Sequence, residues 1–190
     1  MTATIAVAAL VASVFPTLST LLEYDRAAIL SGQAHRLLTG HLVHWNFDHL
    51  LWDVVMFAAL GAFLERHSRR LLVAVLAASV AGISASLWFL APEVLVYRGL
   101  SGLDSALFAA VLVVLLSDAL ASHHRTITVI VGLLAAAFVA KLGYETTTGL
   151  TLFVDSAKGG FTPLPFVHAA GAGVGAAVAV VYGATRGLAR

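Results

Sequence analysis

Six apolar stretches, most of them about as long as a helix that crosses a bilayer, fill most of this 190-residue chain and limit its fold more than any other feature. A hydrocarbon core about 30 Å thick needs roughly 20 helical residues to span it. The stretches run from about Ala3 to Leu22, Phe47 to Leu64, Leu71 to Leu90, Ser101 to Leu116, Ile127 to Ala140 and Pro165 to Tyr182. The fourth and fifth are short for a crossing, which suggests helices that start below the surface or sit behind their neighbours. Apolar residues make up 60% of the chain and charged residues 11%, far from the composition of a soluble domain. The expectation is an all-α, polytopic membrane protein: one domain over residues 1–190, built as a six-transmembrane-helix bundle. The first stretch lacks the basic flank of a signal peptide and is read as a retained span.

Charge and cysteine usage remove several classes of function. The chain has no cysteine, so it has no disulfide framework, thiolate nucleophile or cysteine metal site. Its net charge is +1, with no basic run longer than Arg69-Arg70, which leaves no electrostatic footprint for nucleic acid. Arg66, Arg69, Arg70, Arg125, Arg186 and Arg190 fall on one side of the serpentine, and Arg26, Arg36, Arg98, Lys141 and Lys158 on the other. The tight Arg66 to Arg70 cluster places its side, with both termini, in the cytoplasm. Of the connections, Glu23 to Gly40 is long and mildly amphipathic and suits the interface, and Gly143 to Pro163 is Thr/Gly-rich and reads as a mobile loop.

Polar residues inside apolar spans are costly in lipid and mark the bundle interior or a wet cavity. Of those within the six stretches, His49, Asp53, Ser101, Asp104, Ser105 and His168 are singled out. Stretches two, four and six run in the same direction, so their starts share one face of the membrane. His49, Ser101 and His168 lie within about one turn of those starts, hence within roughly 5 Å of one another in depth. A hydroxyl and two imidazoles at one level could supply a nucleophile, a base and a hydrogen-bond donor. Serine is also a common neutral guest in membrane helices, and depth alone does not bring side chains together.

Small residues suggest how the two helices could meet. His168, Gly171, Gly175 and Ala179 share one face of the sixth stretch, and Gly102, Ala106 and Ala110 form a comparable stripe on the fourth. Such stripes let membrane helices approach closely, and close approach could bring Ser101 to His168, activating a hydroxyl that is a poor nucleophile alone. Glycine stripes also occur in bundles with no catalytic function.

The ordered motifs resemble those of the rhomboid intramembrane serine proteases across nearly the whole chain. "GLSG", Gly99 to Gly102, is similar to the Gly-x-Ser-Gly nucleophile motif of that family. "HAAGAGVG", His168 to Gly175, is similar to its His-xx-Gly-xxx-Gly motif. "HWNFDHLLWD", His44 to Asp53, resembles the stretch in which a histidine and an asparagine four residues later help build the oxyanion hole; here Asp53 stands where the family usually has asparagine. "RLLTGHLVH", Arg36 to His44, resembles the approach to the second helix, with His35 in place of a usual tryptophan, and Gly61 and Glu65 fit that helix's cytoplasmic end. The wording around "RLLTGHLVHWN" and "YRGLSG", with no added domains, is most like the rhombosortase branch.

The resemblance implies acyl transfer by a Ser-His dyad, with Ser101 as nucleophile, His168 as general base, and His49 with backbone N–H groups near Ser101 as oxyanion donors. It requires no cofactor, and no acidic third member is evident in the sequence. Gly99 and Gly102 would admit substrate and neighbouring backbone to Ser101, while Gly171 and Gly175 would fix the imidazole by tight packing. The rhombosortase branch implies membrane-anchored partners, secreted proteins whose C-terminal tail carries a Gly-Gly motif, a membrane helix and a basic end. The implied location is a bacterial inner membrane, with the site opening to the periplasm or exterior. The alternative is an inactive rhomboid-like protein that binds or escorts membrane clients; loss of the serine or histidine would be its signature, and both are present.

Two carboxylates stay open at this level. Asp53 lies at i, i+4 from His49 and pairs with it, or donates directly as a buried neutral acid, or makes a structural contact between helices. Asp104 has capping-box spacing from Ser101; otherwise it contacts substrate or a histidine. Because an ionised carboxylate would oppose an oxyanion, Asp104 is expected to turn away. His41, His44, His49 and Asp53 raise a metal site, but no His-Glu-xx-His pattern exists and the spacing suits a loop entering a helix. His44 is expected to shape that loop by hydrogen bonding, and His67, His123 and His124 to be solvated. Trp45, Trp52 and Trp88 are read as interfacial anchors.

Overall fold

The computed structural model describes residues 1–152 and 162–187, so Lys158 and Arg190 lie outside the described residues. The chain is all-α and about 80% helical. Its helices are α1 (Thr2–Val14), α2 (Pro16–Leu22), α3 (Arg26–Leu30), α4 (Arg36–Thr39), α5 (Phe47–His67), α6 (Arg69–Leu90), α7 (Ser101–Ala121), α8 (Arg125–Thr148) and α9 (Pro165–Gly187). Two short strands, β1 (Tyr24–Asp25) and β2 (Val96–Tyr97), pair antiparallel with Tyr24 opposite Tyr97. Among the described residues five helices, α5 to α9, are each long and apolar enough to cross a membrane, and the protein is an integral membrane protein.

The first span departs from the expected single helix. α1 and α2 meet at a bend of 114°. Phe15 between them is extended, with φ −100° and ψ 107°, and Pro16 opens α2. Proline cannot donate to the preceding turn and disfavours the helical region for the residue before it, so an apolar run that looks continuous by hydropathy breaks there. The connection from Glu23 to Gly40 is likewise divided. Asp25 caps α3 by accepting from the Ala28 N–H at 2.9 Å, and buried Arg36 ties the segment down through the carbonyls of Thr20 and Glu23 at 2.9 and 3.0 Å.

The fourth and fifth spans are longer than their apolar cores. α7 runs to Ala121, and α8 continues past Ala140 to Thr148, ending where Gly149 takes up φ +70° and its N–H bonds the Glu145 carbonyl. A left-handed glycine is a standard way to close a helix. Residues 143–148, expected in a mobile loop, are therefore the last turns of a span.

α7 lies at the centre of the bundle and packs most closely against α9, with α5, α6 and α8 around it. Phe57, Leu72, Ile83, Leu100, Leu107 and Ala110 form its most buried contacts. α8 is the opposite case: Leu133 and Val139 are exposed to the lipid side, and only Val131 and Glu145 of this helix are buried.

Candidate active site

The site begins in the first turns of three parallel spans. On α5, the Asn46 side chain caps the helix by accepting from the His49 N–H at 2.8 Å, which sets the first turn in which His49 sits. On α7, Ser101 is the opening residue, with Leu100 as N-cap. On α9, His168 follows Pro165, the residue that starts the helix. All three side chains line one cavity of about 450 Å3, together with Asp53, Asp104 and Glu145.

The α7–α9 contact is backbone against backbone. A Cβ on Gly171 would overlap the Gly102 carbonyl, and one on Gly175 would overlap the Ala106 carbonyl. From the other side, a Cβ on Gly102 would lie 2.7 Å from Val167 and 2.9 Å from Ile83. Removing the side chains at these positions is what lets the Ser101 and His168 helices share a wall. Among the described residues no direct hydrogen bond joins Ser101 to His168; the Ser101 carbonyl accepts from the Ser105 hydroxyl at 2.9 Å.

The loop before Ser101 is held in an unusual conformation. Gly99 has φ +135°, a region closed to most side chains, and a Cβ there would come within 2.9 Å of the His49 ring. Its N–H reaches the Gly40 carbonyl at 3.3 Å, and its own carbonyl accepts from the Tyr97 hydroxyl at 2.8 Å. Tyr97 is buried, and burial raises its phenol above the ordinary range.

Asp53 serves two histidines through one oxygen. His49 Nε2 lies 3.3 Å from its Oδ2 and His44 Nε2 lies 3.2 Å from the same atom. His44 also meets the Ser13 hydroxyl through Nδ1 at 3.1 Å, and accepts the Leu100 N–H at Nε2 at 3.3 Å. The two contacts at Nε2 demand opposite proton placements, since donation to Asp53 needs a hydrogen there and acceptance from Leu100 needs a lone pair. His44 thus links α1, α5 and the residue before Ser101. Burial lowers its affinity for a proton, an effect that Asp53 opposes.

Ser101 and Asp104 depart from the reading of the sequence, and other polar and aromatic residues gain partners there. Ser101 is inside α7 rather than its cap, so the capping box with Asp104 does not form. Nor does Asp104 turn away: it lines the cavity, and its Oδ1 has no hydrogen-bond partner among the described residues. Trp45 and Trp52 line the cavity too, and Trp45 lies under the Arg98 guanidinium at 4.6 Å. Trp88 stacks with Arg26 at 4.4 Å. His41 is buried against Ser84, with its Nε2 3.3 Å from the hydroxyl.

The residue that sequence reading missed is Glu145. Its Oε2 lies 2.9 Å from His168 Nδ1 and 2.7 Å from Lys141 Nζ. The available signal was the i, i+4 spacing of Lys141 and Glu145, which lets a pair of opposite charges extend a helix beyond its apolar core.

In this membrane bundle a serine and a histidine from two helices in backbone contact line one largely apolar cavity, with a few polar groups at the starts of the spans. The chain belongs to the rhomboid family: the Rhomboid domain model matches residues 31–185, which include α4 to α8, almost all of α9, and all the residues that line the cavity. No curated protein matches the sequence significantly.

Proposed function

We propose that this protein is a rhomboid-type intramembrane serine endopeptidase in which Ser101 is the nucleophile and His168 the general base. One observation carries the reading: the first turns of α7 and α9 put both residues on the wall of one cavity, with the two backbones in contact at Gly102 and Gly171. Ser101 Oγ attacks the substrate carbonyl as its proton passes to His168 Nε2. The Oγ–C bond forms, the peptide C–N bond then breaks, and the same proton leaves on the amine. Water then attacks the acyl carbon as His168 Nε2 takes its proton, the Oγ–C bond breaks, and the proton returns to Ser101 Oγ as the acid is released. His168 Nδ1 is engaged by Glu145 at 2.9 Å, so Nε2 is the nitrogen left for the serine.

The oxyanion falls at the N-terminus of α7, where the N–H groups of the first turn have no intrahelical partner and the helix dipole favours negative charge. His49 is a second donor. Its Nε2 is shared with Asp53, so as an oxyanion ligand it competes with that carboxylate, and the backbone groups supply the fixed part of the hole. Asp104, one turn along α7 from Ser101, accepts a substrate N–H in this reading.

The substrates are membrane-anchored proteins, in keeping with the family. The rhombosortase-like wording of the motifs favours C-terminal tails with a Gly-Gly motif followed by a membrane helix and a basic end. The membrane is a bacterial inner membrane, with the Arg66 to Arg70 end cytoplasmic and the site opening outward. A serine-reactive fluorophosphonate tests the chemistry: purified wild type is labelled, and Ser101→Ala and His168→Ala are not. Correctly folded wild type that resists labelling would instead indicate a client-binding relative. Incubation with a Gly-Gly-tailed substrate, followed by mass spectrometry of the new C-terminus, tests the substrate class; an intact tail in the presence of labelled enzyme rejects it.

A further inference from the structure

We infer that Glu145, clamped by Lys141, is a positioning residue that orients His168, so that the site works as a Ser-His-Glu triad rather than a dyad. This inference rests on the assignment of Ser101 and His168 as nucleophile and base. It begins from the surface of α8. That helix turns most of its residues toward lipid, and of its side chains only Val131 and Glu145 are buried, Glu145 to 1% exposure. A carboxylate within a membrane span is costly unless it is paired. A lysine one turn away would satisfy an i, i+4 pair equally well at the headgroup level, with no need for burial. Instead the carboxylate is turned inward onto the imidazole.

The contact geometry determines what the carboxylate does to the ring. Glu145 Oε2 receives Lys141 Nζ at 2.7 Å and faces His168 Nδ1 at 2.9 Å. The ammonium keeps the carboxylate ionised, and an ionised carboxylate can only accept. The hydrogen must therefore sit on Nδ1. That leaves the lone pair on Nε2, which is the tautomer a base for Ser101 requires. When the proton from Ser101 reaches Nε2, the same carboxylate stabilises the imidazolium while remaining unprotonated itself. Packing against Gly171 and Gly175 constrains where α9 lies; the Glu145 contact constrains the rotation and tautomer of the ring, which packing cannot do.

The test uses the full-length protein in nanodiscs, with Glu145→Gln and Glu145→Asp beside wild type. Glutamine keeps the size of the side chain but removes the charge and can present its NH2 to Nδ1, favouring the wrong tautomer. Fluorophosphonate acylation by Glu145→Gln is expected to fall by about 10²–10⁴-fold, by analogy with the loss when a triad aspartate becomes asparagine, while the apparent affinity for the probe changes little. The pH profile of acylation is expected to change as well, because the variant removes the charge that faces the imidazole. The other ionisable groups facing this cavity are His49 and Asp53 of α5, Tyr97 and Arg98 before α7, Asp104 of α7 and Lys141 of α8, and all are unchanged in the variant. Glu145→Asp is expected to recover part of the rate.

A second measurement does not depend on activity. In 15N-histidine-labelled wild type, His168 is expected to carry its proton on Nδ1, and Glu145→Gln is expected to disturb that state. Wild-type acylation with an unchanged pH profile in Glu145→Gln would overturn the inference, as would a wild-type ring protonated on Nε2. If Glu145→Gln fails to fold, Glu145→Asp and the wild-type tautomer decide the matter. A wild type that shows the Nδ1 tautomer but takes up no probe would refute the protease reading and leave the ring-orienting contact standing.

Discussion

At Gly99 the backbone occupies a conformation that an L-residue resists, and the space where a side chain would grow belongs to His49. Gly99→Ala is therefore doubly unfavourable, by strain of about 1–3 kcal/mol and by pressure on a proposed oxyanion ligand. We expect at least a tenfold loss of fluorophosphonate acylation with a modest fall in melting temperature, and wild-type kinetics would remove Gly99 from the site. Asp53 gives a sharper pair of variants. Asp53→Asn keeps an oxygen for one of the two imidazoles and should retain much of the activity, whereas Asp53→Leu strands both rings, at about 1–3 kcal/mol for each buried group left unpaired. Equal loss in the two variants would count against hydrogen bonding as the role of Asp53. His41 carries a pH prediction. Burial lowers its pKa from 6.5 to about 4, so the unfolded chain binds the proton more readily than the folded one. Its contribution to stability is complete above pH 6.5 and is lost as pH falls toward 4, on the order of 3 kcal/mol at about 1.4 kcal/mol per unit. Thermal unfolding of wild type and His41→Gln in one detergent should show a flatter dependence in the variant over that window. Parallel curves would mean that His41 does not titrate with unfolding.

At the scale of elements, the α7–α9 seam is the feature on which the site depends. Any side chain at Gly171 meets the Gly102 carbonyl, so Gly171→Val must push the helices apart or distort them, an overpacking cost of about 1–3 kcal/mol. The expected result is a protein that still inserts and remains helical but loses acylation, since separating the helices separates Ser101 from His168. Retained labelling would show that the seam tolerates separation. The glycine and alanine stripes behind this prediction were readable along the chain as residues recurring on one helix face. The length of α8 was not. Hydropathy ends the fifth span at Ala140, because Lys141 and the Thr/Gly-rich residues after it look like a loop. The helix continues because Lys141 and Glu145 neutralise each other and Gly149 supplies the stop. Glu145 was thereby hidden, and with it the partner of His168. The bend at Phe15–Pro16 escaped for the opposite reason, since hydropathy registers apolarity and not a missing N–H.

For the molecule as a whole, the proposed orientation can be checked directly because the chain contains no cysteine. His123 lies in the turn between α7 and α8, and Leu95 in the connection before α7; both are exposed. In intact cells, Leu95→Cys is expected to react with a membrane-impermeant maleimide and His123→Cys to react only after permeabilisation, with the reverse pattern inverting the topology. The sequence by itself determined the membrane as solvent, the α5 to α9 serpentine and the shared depth of His49, Ser101 and His168, because these follow from apolar run length and from the parity of crossings. Hydropathy could not rank the helices: α7 and α8 are equally apolar along their lengths, yet one is buried at the core and the other is mostly exposed. Only the tertiary structure decided that Asp53 would be shared by two histidines, that Asp104 would face the cavity and that Glu145 would turn inward. Each of those outcomes depends on which neighbour a side chain meets across the bundle, and a one-dimensional pattern records spacing along a helix but not the rotation of one helix against another.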